Sequence, residues 1–249
     1  MAEVQLEIDG GVAAITLNAP ERRNAFIPSM VEELLAICDQ VDDDETVGAV
    51  VIKANGESFC AGAHRAVLAQ AGSDPTLPRH FKDLGVTYQA FVRVGELKPP
   101  TIAAVRGHAV GAGLNLVLAT DLRVVAERAR LIAGFLGIGL HPGGGHFLLL
   151  SRLAGREAAA AISIFGQEID GRRAAELGLA WEAVPEAEGE PRAFALAQNA
   201  AKDPELARLA VASLRMEAGP PALTWPAALE AERGVQMWSL RRRVEKGQA

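Results

Sequence analysis

Short apolar runs alternate with amphipathic segments along most of this chain, and the two patterns predict different elements. Runs rich in β-branched residues and alanine, bounded by turn residues, predict strands at Val4–Ile8, Val12–Leu17, Val47–Lys53, Thr101–Val105, Leu122–Ala126 and Ala129–Ala133. Apolar residues at helical spacing predict helices at Pro28–Val41, His64–Ala71, Leu84–Leu97, Leu114–Ala119, Gly143–Leu153, Gly171–Leu177, Arg192–Lys202, Pro204–Ala218 and Leu223–Val244. The recurring order of strand, strand and helix predicts an α/β fold whose parallel strands are buried on both faces.

The stretch Leu97–Asp121 predicts a strand that leads directly into the N-terminus of an apolar helix. Between them lies Gly111-Ala112-Gly113, where glycine permits backbone angles and close approaches that a side chain would forbid. The first turn of the helix leaves its N–H groups without intrahelical acceptors, which predicts an anion-binding site. The stretch lacks the motifs GxxxxGK[ST] and GxGxxG, so a developing oxyanion is favoured over a phosphate. The alternative is a tight turn in which the glycines serve only close packing.

Composition narrows the class of protein. The chain has 249 residues, 49% of them hydrophobic, which is enough for a substantial buried core. Its formal net charge of −6 argues against nucleic-acid binding, which needs a basic face. Cys38 and Cys60 show no metal or redox spacing, so we expect a reduced, cytoplasmic protein without a metal site. Met1 leads into alternating polar residues, and no apolar run reaches the ~20 residues of a membrane span, so we expect neither a signal peptide nor membrane insertion.

Two loops carry a resemblance to a known family. The predicted strand Val47–Lys53 is followed by the turn Asn55–Ser58 and by Phe59–Ala63, whose sequence is FCAGA. Together with the later segment KPPTIAAVRGHAVGAGL, this pair resembles the crotonase (enoyl-CoA hydratase/isomerase) family. Other segments match the family in the same order, at Pro20–Phe26, Asp121–Val124, Gly137–Gly145 and Ile169–Leu179.

The resemblance implies a crotonase-type ββα spiral core at residues 1–190 and a C-terminal helical oligomerisation region at residues 191–249. It implies an acyl-CoA substrate, no tightly bound cofactor, and assembly as a homotrimer or a dimer of trimers. In the family, two backbone N–H groups hold the thioester oxygen as it becomes enolate-like, and by motif position these belong to Ala63 and Ala112. The positions that the resemblance implies for coenzyme contact are Arg22, Ala25, Ala61, His64 and Arg65.

The chain departs from the family at its two acid/base positions. Family hydratases carry one glutamate just after the glycine trio and a second further along, whereas this chain has Asn115 and Phe135 there. Neither side chain can accept a proton at pH 7. In the Gly-rich loop, His141 stands where dienoyl-CoA isomerases and chlorobenzoyl-CoA dehalogenases carry an aspartate. Imidazole titrates near neutral pH, so His141 is a candidate general acid or base, with Asn115 orienting a water or a substrate oxygen.

Three functions stay open at this point. The first is hydratase or isomerase chemistry on an acyl-CoA, with His141 as proton carrier. The second is hydrolysis of a thioester or carbon–carbon bond by water that His141 activates. The third is a non-catalytic acyl-CoA-binding protein, which the two missing carboxylates motivate. His141 could instead cap its loop through a backbone hydrogen bond ahead of Pro142.

Several other residues receive a structural interpretation. His146, one helical turn beyond His141, is expected to pack or to cap. Asp170 is predicted to cap a short helix that ends at Gly178, and Pro185–Pro191 is predicted to be a linker. Trp225 and Trp238, in the last predicted helix, are assigned either to oligomer contacts or to intramolecular packing.

Overall fold

The computed structural model of the protein describes residues 2–73 and 77–218. Its strands are β1 Val4–Asp9, β2 Val12–Leu17, β3 Ala49–Ala54, β4 Thr101–Val105, β5 His108–Val110, β6 Leu122–Ala126, β7 Arg130–Ile132, β8 Ile169–Asp170 and β9 Glu182–Val184. Its helices are α1 Pro28–Asp43, α2 Arg65–Ser73, α3 Pro78–Gly95, α4 Ala112–Ala119, α5 His146–Ser163, α6 Gly171–Glu176, α7 Gly189–Ala201 and α8 Pro204–Ala218. Short 3₁₀ helices lie at Pro20–Arg22, Leu136–Ile138 and Glu186–Glu188. The predicted helix Leu223–Val244, with Trp225 and Trp238, lies outside the described residues.

The strands form two sheets between which the chain passes repeatedly. The larger sheet has the order β1-β2-β3-β4-β6-β9, and the smaller has the order β5-β7-β8. In the larger sheet, β1 and β2 form an antiparallel hairpin and every later pair is parallel. Strand β4 continues into β5, and β6 into β7, so two passages through the larger sheet are each followed by a strand of the smaller one. This arrangement confirms the predicted α/β class.

The central strands β2, β3, β4 and β6 of the larger sheet are buried on both faces, as their apolar sequences predict. Side chains alternate between the faces of a strand. On β3, Val50 and Ile52 belong to the main core, whereas Ala49 and Val51 pack in a second cluster that includes helix α7. Because α7 covers this face of the sheet, residues on both sides of position 190 share one packed structure. The division into regions 1–190 and 191–249 stays a prediction.

The linker prediction for Pro185–Pro191 is wrong. These residues form a 3₁₀ turn and the first turn of α7. Within them, Glu190 accepts a hydrogen bond of 3.0 Å from Lys53 Nζ at the end of β3. The proline and glycine residues that suggested a linker therefore start a helix, a position at which proline is well tolerated.

Several helix boundaries also differ from the prediction. Helix α5 begins at His146 and not at Gly143, because Gly144 and Gly145 have φ values of +67° and +77°, outside the right-handed helical region. It extends to Ser163, beyond the predicted Leu153, with a kink at Gly155. Helix α3 begins at Pro78, earlier than the predicted Leu84. By contrast, the predicted cap is confirmed, since the Asp170 side chain accepts a hydrogen bond of 2.8 Å from the Arg173 backbone N–H.

The carboxylate of Asp121 joins α8 to the beginning of β4. Its Oδ2 accepts hydrogen bonds from the backbone N–H and hydroxyl of Thr101, both at 2.8 Å. Arg215 donates to both carboxylate oxygens, at 2.8 Å and 2.6 Å. Asp121 is therefore committed to structure, and it fixes the beginning of β4 and the end of α4, the two elements on either side of the glycine turn.

Two structural properties bear on the class of protein. Within the described ranges, the helices are either too short or too polar to cross a lipid bilayer. In the same part of the chain, no three His, Cys, Asp or Glu side chains are grouped as the ligands of a metal ion would be.

Candidate active site

The two loops that carry the family resemblance lie side by side. Cys60 pairs with β5: its N–H donates to His108 O at 3.1 Å, and its carbonyl accepts from Val110 N at 2.9 Å. Glycine makes this approach possible. A Cβ on Gly62 would lie 2.6 Å from Val110 O and 3.2 Å from Ala112 N, and a Cβ on Gly113 would overlap Cys60 O. The segment after β3 is thereby brought against the N-terminus of α4.

The N–H groups of Ala63 and Ala112 are both left without a described acceptor. Phe26 accepts from His64 N at 2.9 Å and donates to Gly62 O at 2.8 Å, so it uses the peptide groups on both sides of Ala63. In a strand-like pairing, the peptide N–H of the residue between them points the other way. Ala112 is the first residue of α4, where an N–H has no intrahelical acceptor. Both alanines line the same cavity.

This cavity has a volume of about 290 Å³ and a mainly apolar wall. The residues lining it are Ala61, Gly62, Ala63, Leu68, Leu84, Thr87, Tyr88, Val110, Gly111, Ala112, Asn115, Ala133, Gly134, Phe135, Ile138, Leu140, His141, Pro142 and Gly143. The polar side chains among them are Thr87, Tyr88, Asn115 and His141. No carboxylate, lysine or arginine belongs to this lining set, so the described cavity wall carries no permanently charged side chain.

Asn115 is buried beside this cavity and held by two hydrogen bonds. Its Nδ2 donates to Gly143 O at 3.0 Å, and its Oδ1 lies 2.7 Å from His146 Nδ1. Because a backbone carbonyl can only accept, Nδ2 must face Gly143, and Oδ1 then accepts from His146. The neutral imidazole therefore carries its hydrogen on Nδ1.

His146 contacts both residues that stand at the family's glutamate positions. It donates to Asn115, and its ring packs edge-on against Phe135 with 4.9 Å between the ring centroids. The side chain is 1% exposed, and its Nε2 has no hydrogen-bond partner within the described residues. Burial lowers the pKa of His146 to about 4, so the ring is neutral at pH 7. The packing interpretation is confirmed, but capping is wrong, because α5 has no side-chain cap.

His141 is exposed at the cavity wall, in the loop before α5. Its Nδ1 lies 2.7 Å from Pro142 O, and since that carbonyl can only accept, Nδ1 carries the hydrogen of the neutral ring. This is the backbone contact that the capping alternative expected. It also leaves Nε2 as the nitrogen with a free lone pair, which is the form that a general base requires.

Tyr88, on α3, brings the cavity's only phenol beside the same loop, and it is the single tyrosine of the chain. Its hydroxyl would lie 2.6 Å from a Cβ on Gly143, and its ring packs on Phe91 with 5.9 Å between centroids. Burial raises the pKa of Tyr88, so the hydroxyl is a hydrogen-bond donor at neutral pH. Tyr88 belongs to the part of α3 that the sequence predicted as a helix, Leu84–Leu97, and in the structure it lines the cavity.

Of the five residues expected to contact coenzyme, one lines the cavity and four do not. Ala61 lines the cavity, whereas Ala25, Arg22, His64 and Arg65 do not belong to the lining set. Arg22 is paired with Glu3 at 2.5 Å and with Glu21 at 2.8 Å, so its charge is already balanced within the protein. His64 Nδ1 accepts from Ala66 N at 3.2 Å, and Arg65 is exposed at the start of α2.

Asn24 is a further residue of this region whose role the sequence did not reveal. It is fully buried, with Nδ2 donating to Asn55 O and Ser58 O at 2.9 Å each and Oδ1 accepting from Ala19 N at 2.7 Å. Its φ of +55° is a conformation that asparagine tolerates better than most residues. Asn24 therefore fixes the loop before α1 to the turn that precedes Phe59–Ala63.

Comparison with known proteins identifies the family. Residues 7–246 match the family described as Enoyl-CoA hydratase/isomerase. The chain is also 43% identical to a probable enoyl-CoA hydratase of Mycobacterium tuberculosis over 177 residues, which are 71% of this chain and 68% of that protein.

The chain belongs to the enoyl-CoA hydratase/isomerase family. It is 34% identical over 202 residues to the 1,2-epoxyphenylacetyl-CoA isomerase of Escherichia coli, covering 79% of this chain and 75% of that protein. Its fold is similar to the crystal structure of a putative enoyl-CoA hydratase/isomerase from Mycobacterium abscessus, with a TM-score of 0.85, 31% identity, and coverage of 94% and 90% of the two chains. The crotonase-type fold is thereby confirmed, and the protein is an enzyme of the enoyl-CoA hydratase/isomerase family.

Proposed function

We propose that this enzyme moves a carbon–carbon double bond within an acyl-CoA thioester, with His141 carrying the proton. The observation that carries the proposal is the composition of the cavity that Ala63 and Ala112 line. Among its described lining residues, His141 is the single imidazole, the type of side chain that serves most often as both general acid and general base. One such group suffices for isomerisation, because the proton removed from one carbon is returned to another.

The proposed first step is removal of a proton from Cα of a 3-enoyl thioester by His141 Nε2. The electrons pass to the thioester oxygen and form a dienolate, which the N–H groups of Ala63 and Ala112 hold. One such donor aimed at a developing oxyanion contributes about 3 to 4 kcal/mol in other enzymes. The His141 imidazolium then returns the proton to Cγ, giving the 2-enoyl thioester. No water is consumed and no other reactant is needed.

Hydration is the less favoured reaction of the same class. Adding water requires one group to activate the water and a proton to reach Cα, and in family hydratases the two glutamates share these tasks. Asn115 and Phe135 replace them here, and the lining residues add no other carboxylate. The family's named hydratases and isomerases also favour turnover over the non-catalytic binding alternative.

The proposed substrate includes coenzyme A, as the names of the relatives suggest for those proteins. The apolar part of the cavity wall, which includes Leu68, Leu84, Phe135 and Ile138, suits an acyl chain. Coenzyme contacts by Arg22, Ala25, Ala61, His64 and Arg65 stay predictions, as do the homotrimer or dimer of trimers and the absence of a tightly bound cofactor.

Kinetics with 3-hexenoyl-CoA tests the proposal. We expect His141→Ala to lower kcat at least about a hundredfold, the usual scale for a lost general acid or base, with little change in KM. His108→Ala is the matched control, because His108 is exposed on β5 and does not belong to the cavity lining. Unchanged turnover in His141→Ala would reject this residue as proton carrier. Release of free coenzyme A from the substrate would instead favour the hydrolase alternative.

A further inference from the structure

We propose that His146 is a positioning residue: it fixes the amide of Asn115 so that this side chain presents an N–H to the cavity and selects acyl groups that carry an oxygen near the reacting carbons. The assignment rests on the proposed acyl-CoA site. It adds a role for a side chain that does not belong to the cavity lining and that acts through one that does.

The bond between the two side chains can be made in one direction only. Asn115 Nδ2 donates to Gly143 O, so Oδ1 is the atom that faces His146 Nδ1 at 2.7 Å. With Nδ1–H as donor, the imidazole excludes the flipped amide, in which two donors would face each other. His146 and Asn115 are each 1% exposed, so water does not compete for this bond.

The unpartnered Nε2 of His146 points to a role beyond packing. A buried ring nitrogen without a hydrogen-bond partner costs stability. A leucine or phenylalanine could fill the space beside Phe135 without that cost. Leucine and phenylalanine lack the Nδ1–H donor of histidine, and in His146 that donor forms the hydrogen bond to Asn115. The imidazole therefore fits a position whose task is to hold this amide.

The amide of Asn115, held in this orientation, has one N–H hydrogen that can bond to a ligand. Nδ2 carries two hydrogens, of which one goes to Gly143 O, and the described residues provide no acceptor for the second. Asn115 lines the cavity and lies three residues after Ala112 on α4, so the two are neighbours on one helix face, with their Cβ atoms roughly 5 to 6 Å apart. With the thioester oxygen held by the Ala112 N–H, an oxygen on the acyl group two carbons beyond the thioester carbonyl would lie on the side of Asn115. The substrate class that this predicts is an acyl-CoA with a hydroxyl, oxo or epoxide oxygen at that distance.

Tyr88 is the competing donor, because its hydroxyl also lies beside Gly143. A preference for an oxygen-bearing acyl group could arise from either side chain. The variants Tyr88→Phe and His146→Leu separate them, since the first removes only a hydroxyl from the cavity wall and the second removes only the support behind Asn115.

Calorimetric binding of 3-hydroxybutyryl-CoA and butyryl-CoA tests the assignment without requiring turnover. For the wild-type enzyme we expect about tenfold tighter binding of the hydroxylated ligand, the scale of one hydrogen bond. His146→Leu and Asn115→Ala should each abolish this preference, and the double variant should lose no more than Asn115→Ala alone. His146→Asn, whose amide nitrogen occupies the place of Nδ1 and can still donate to Asn115 Oδ1, should retain most of it. The unfolding midpoint of each variant is measured alongside to confirm that it is folded.

Several outcomes would overturn the assignment. The preference could survive in His146→Leu, or His146→Asn could behave like His146→Leu. The double variant could lose clearly more than Asn115→Ala, which would mean that His146 acts by another route. Loss in Tyr88→Phe together with retention in His146→Leu would assign the donor to Tyr88. Equal binding of both ligands by the wild-type enzyme rejects the positioning role alone, whereas binding of neither also rejects the proposed acyl-CoA site.

Discussion

Neutral side chains occupy the two residue positions at which family hydratases hold carboxylates. Asn115 is hydrogen-bonded on both ends of its amide, and Phe135 packs against the His146 ring. Burial disfavours the charged form of a titratable group, which is why His146 is neutral here. At this scale the site presents oriented hydrogen-bond donors, and the proposed mechanism assigns proton transfer to His141 at the cavity wall.

Protonation of His146 should make the folded state lose stability in acid. Its pKa is about 4 in the folded protein and ~6.5 in an unfolded chain, so the unfolded state binds the proton first as the pH falls. The stabilisation is fully present above pH ~6.5, and on the order of 3 kcal/mol is lost between there and pH 4. Chemical unfolding of wild type and His146→Gln at pH 7 and pH 4.5 measures it. Wild type should lose more stability than the variant over this interval, and parallel losses would contradict the lowered pKa.

Motif position identified Asn115, Phe135 and His141 from the sequence, but not the partner that holds Asn115. His146 is thirty-one residues away along the chain, and only the packing of α5 against α4 brings the two together. The same limit applies to Arg22, whose partner Glu3 belongs to the first strand region. Contacts of this kind depend on tertiary structure, which local patterns do not encode.

The central strands were predicted with the correct bounds, whereas the short strands β5, β8 and β9 were not predicted. The apolar runs of β2, β4 and β6 coincide with their predicted bounds, because burial on both faces makes apolar residues predominate in each of them. The predicted start of α5 was wrong because three consecutive glycines carry no apolar signal, and two of them have positive φ. The Asp170 cap was predictable because it depends on residues within one turn.

Gly113, in α4, provides a test of how closely this helix must pack against the loop after β3. A Cβ on Gly113 would overlap Cys60 O, so Gly113→Ala should force the loop after β3 away from the N-terminus of α4. We expect at least about a tenfold loss of acyl-CoA affinity and a destabilisation of about 1 to 3 kcal/mol, the range for overpacking. Gly72→Ala, on α2 with nothing within 4 Å of the added atom, is the matched control. If Gly113→Ala bound acyl-CoA as tightly as the wild type and unfolded at the same denaturant concentration, the two loops would not need to lie this close.

At the scale of the whole molecule, the chain passes between its two sheets and so brings two loops that are distant in sequence to one site. After β3 the chain forms the first loop, and after β4 and β5 it enters α4, so the parallel neighbours β3 and β4 bring both loops to the same edge. The ordered set of family segments made this architecture predictable. Its oligomeric state stays a prediction, because the last predicted helix lies outside the described residues.

The central claim is that the N–H groups of Ala63 and Ala112 together stabilise an enolate oxygen. Acetoacetyl-CoA tests it, because its enolate absorbs in the near ultraviolet whereas its keto form does not. Ala112→Pro removes one donor at the first helical position, where proline is tolerated, and circular dichroism checks its fold. At pH 7 the wild-type enzyme should generate the enolate band on saturation with this ligand, and folded Ala112→Pro should not. Saturation of the wild-type enzyme without the band, or an undiminished band in Ala112→Pro, would contradict the account.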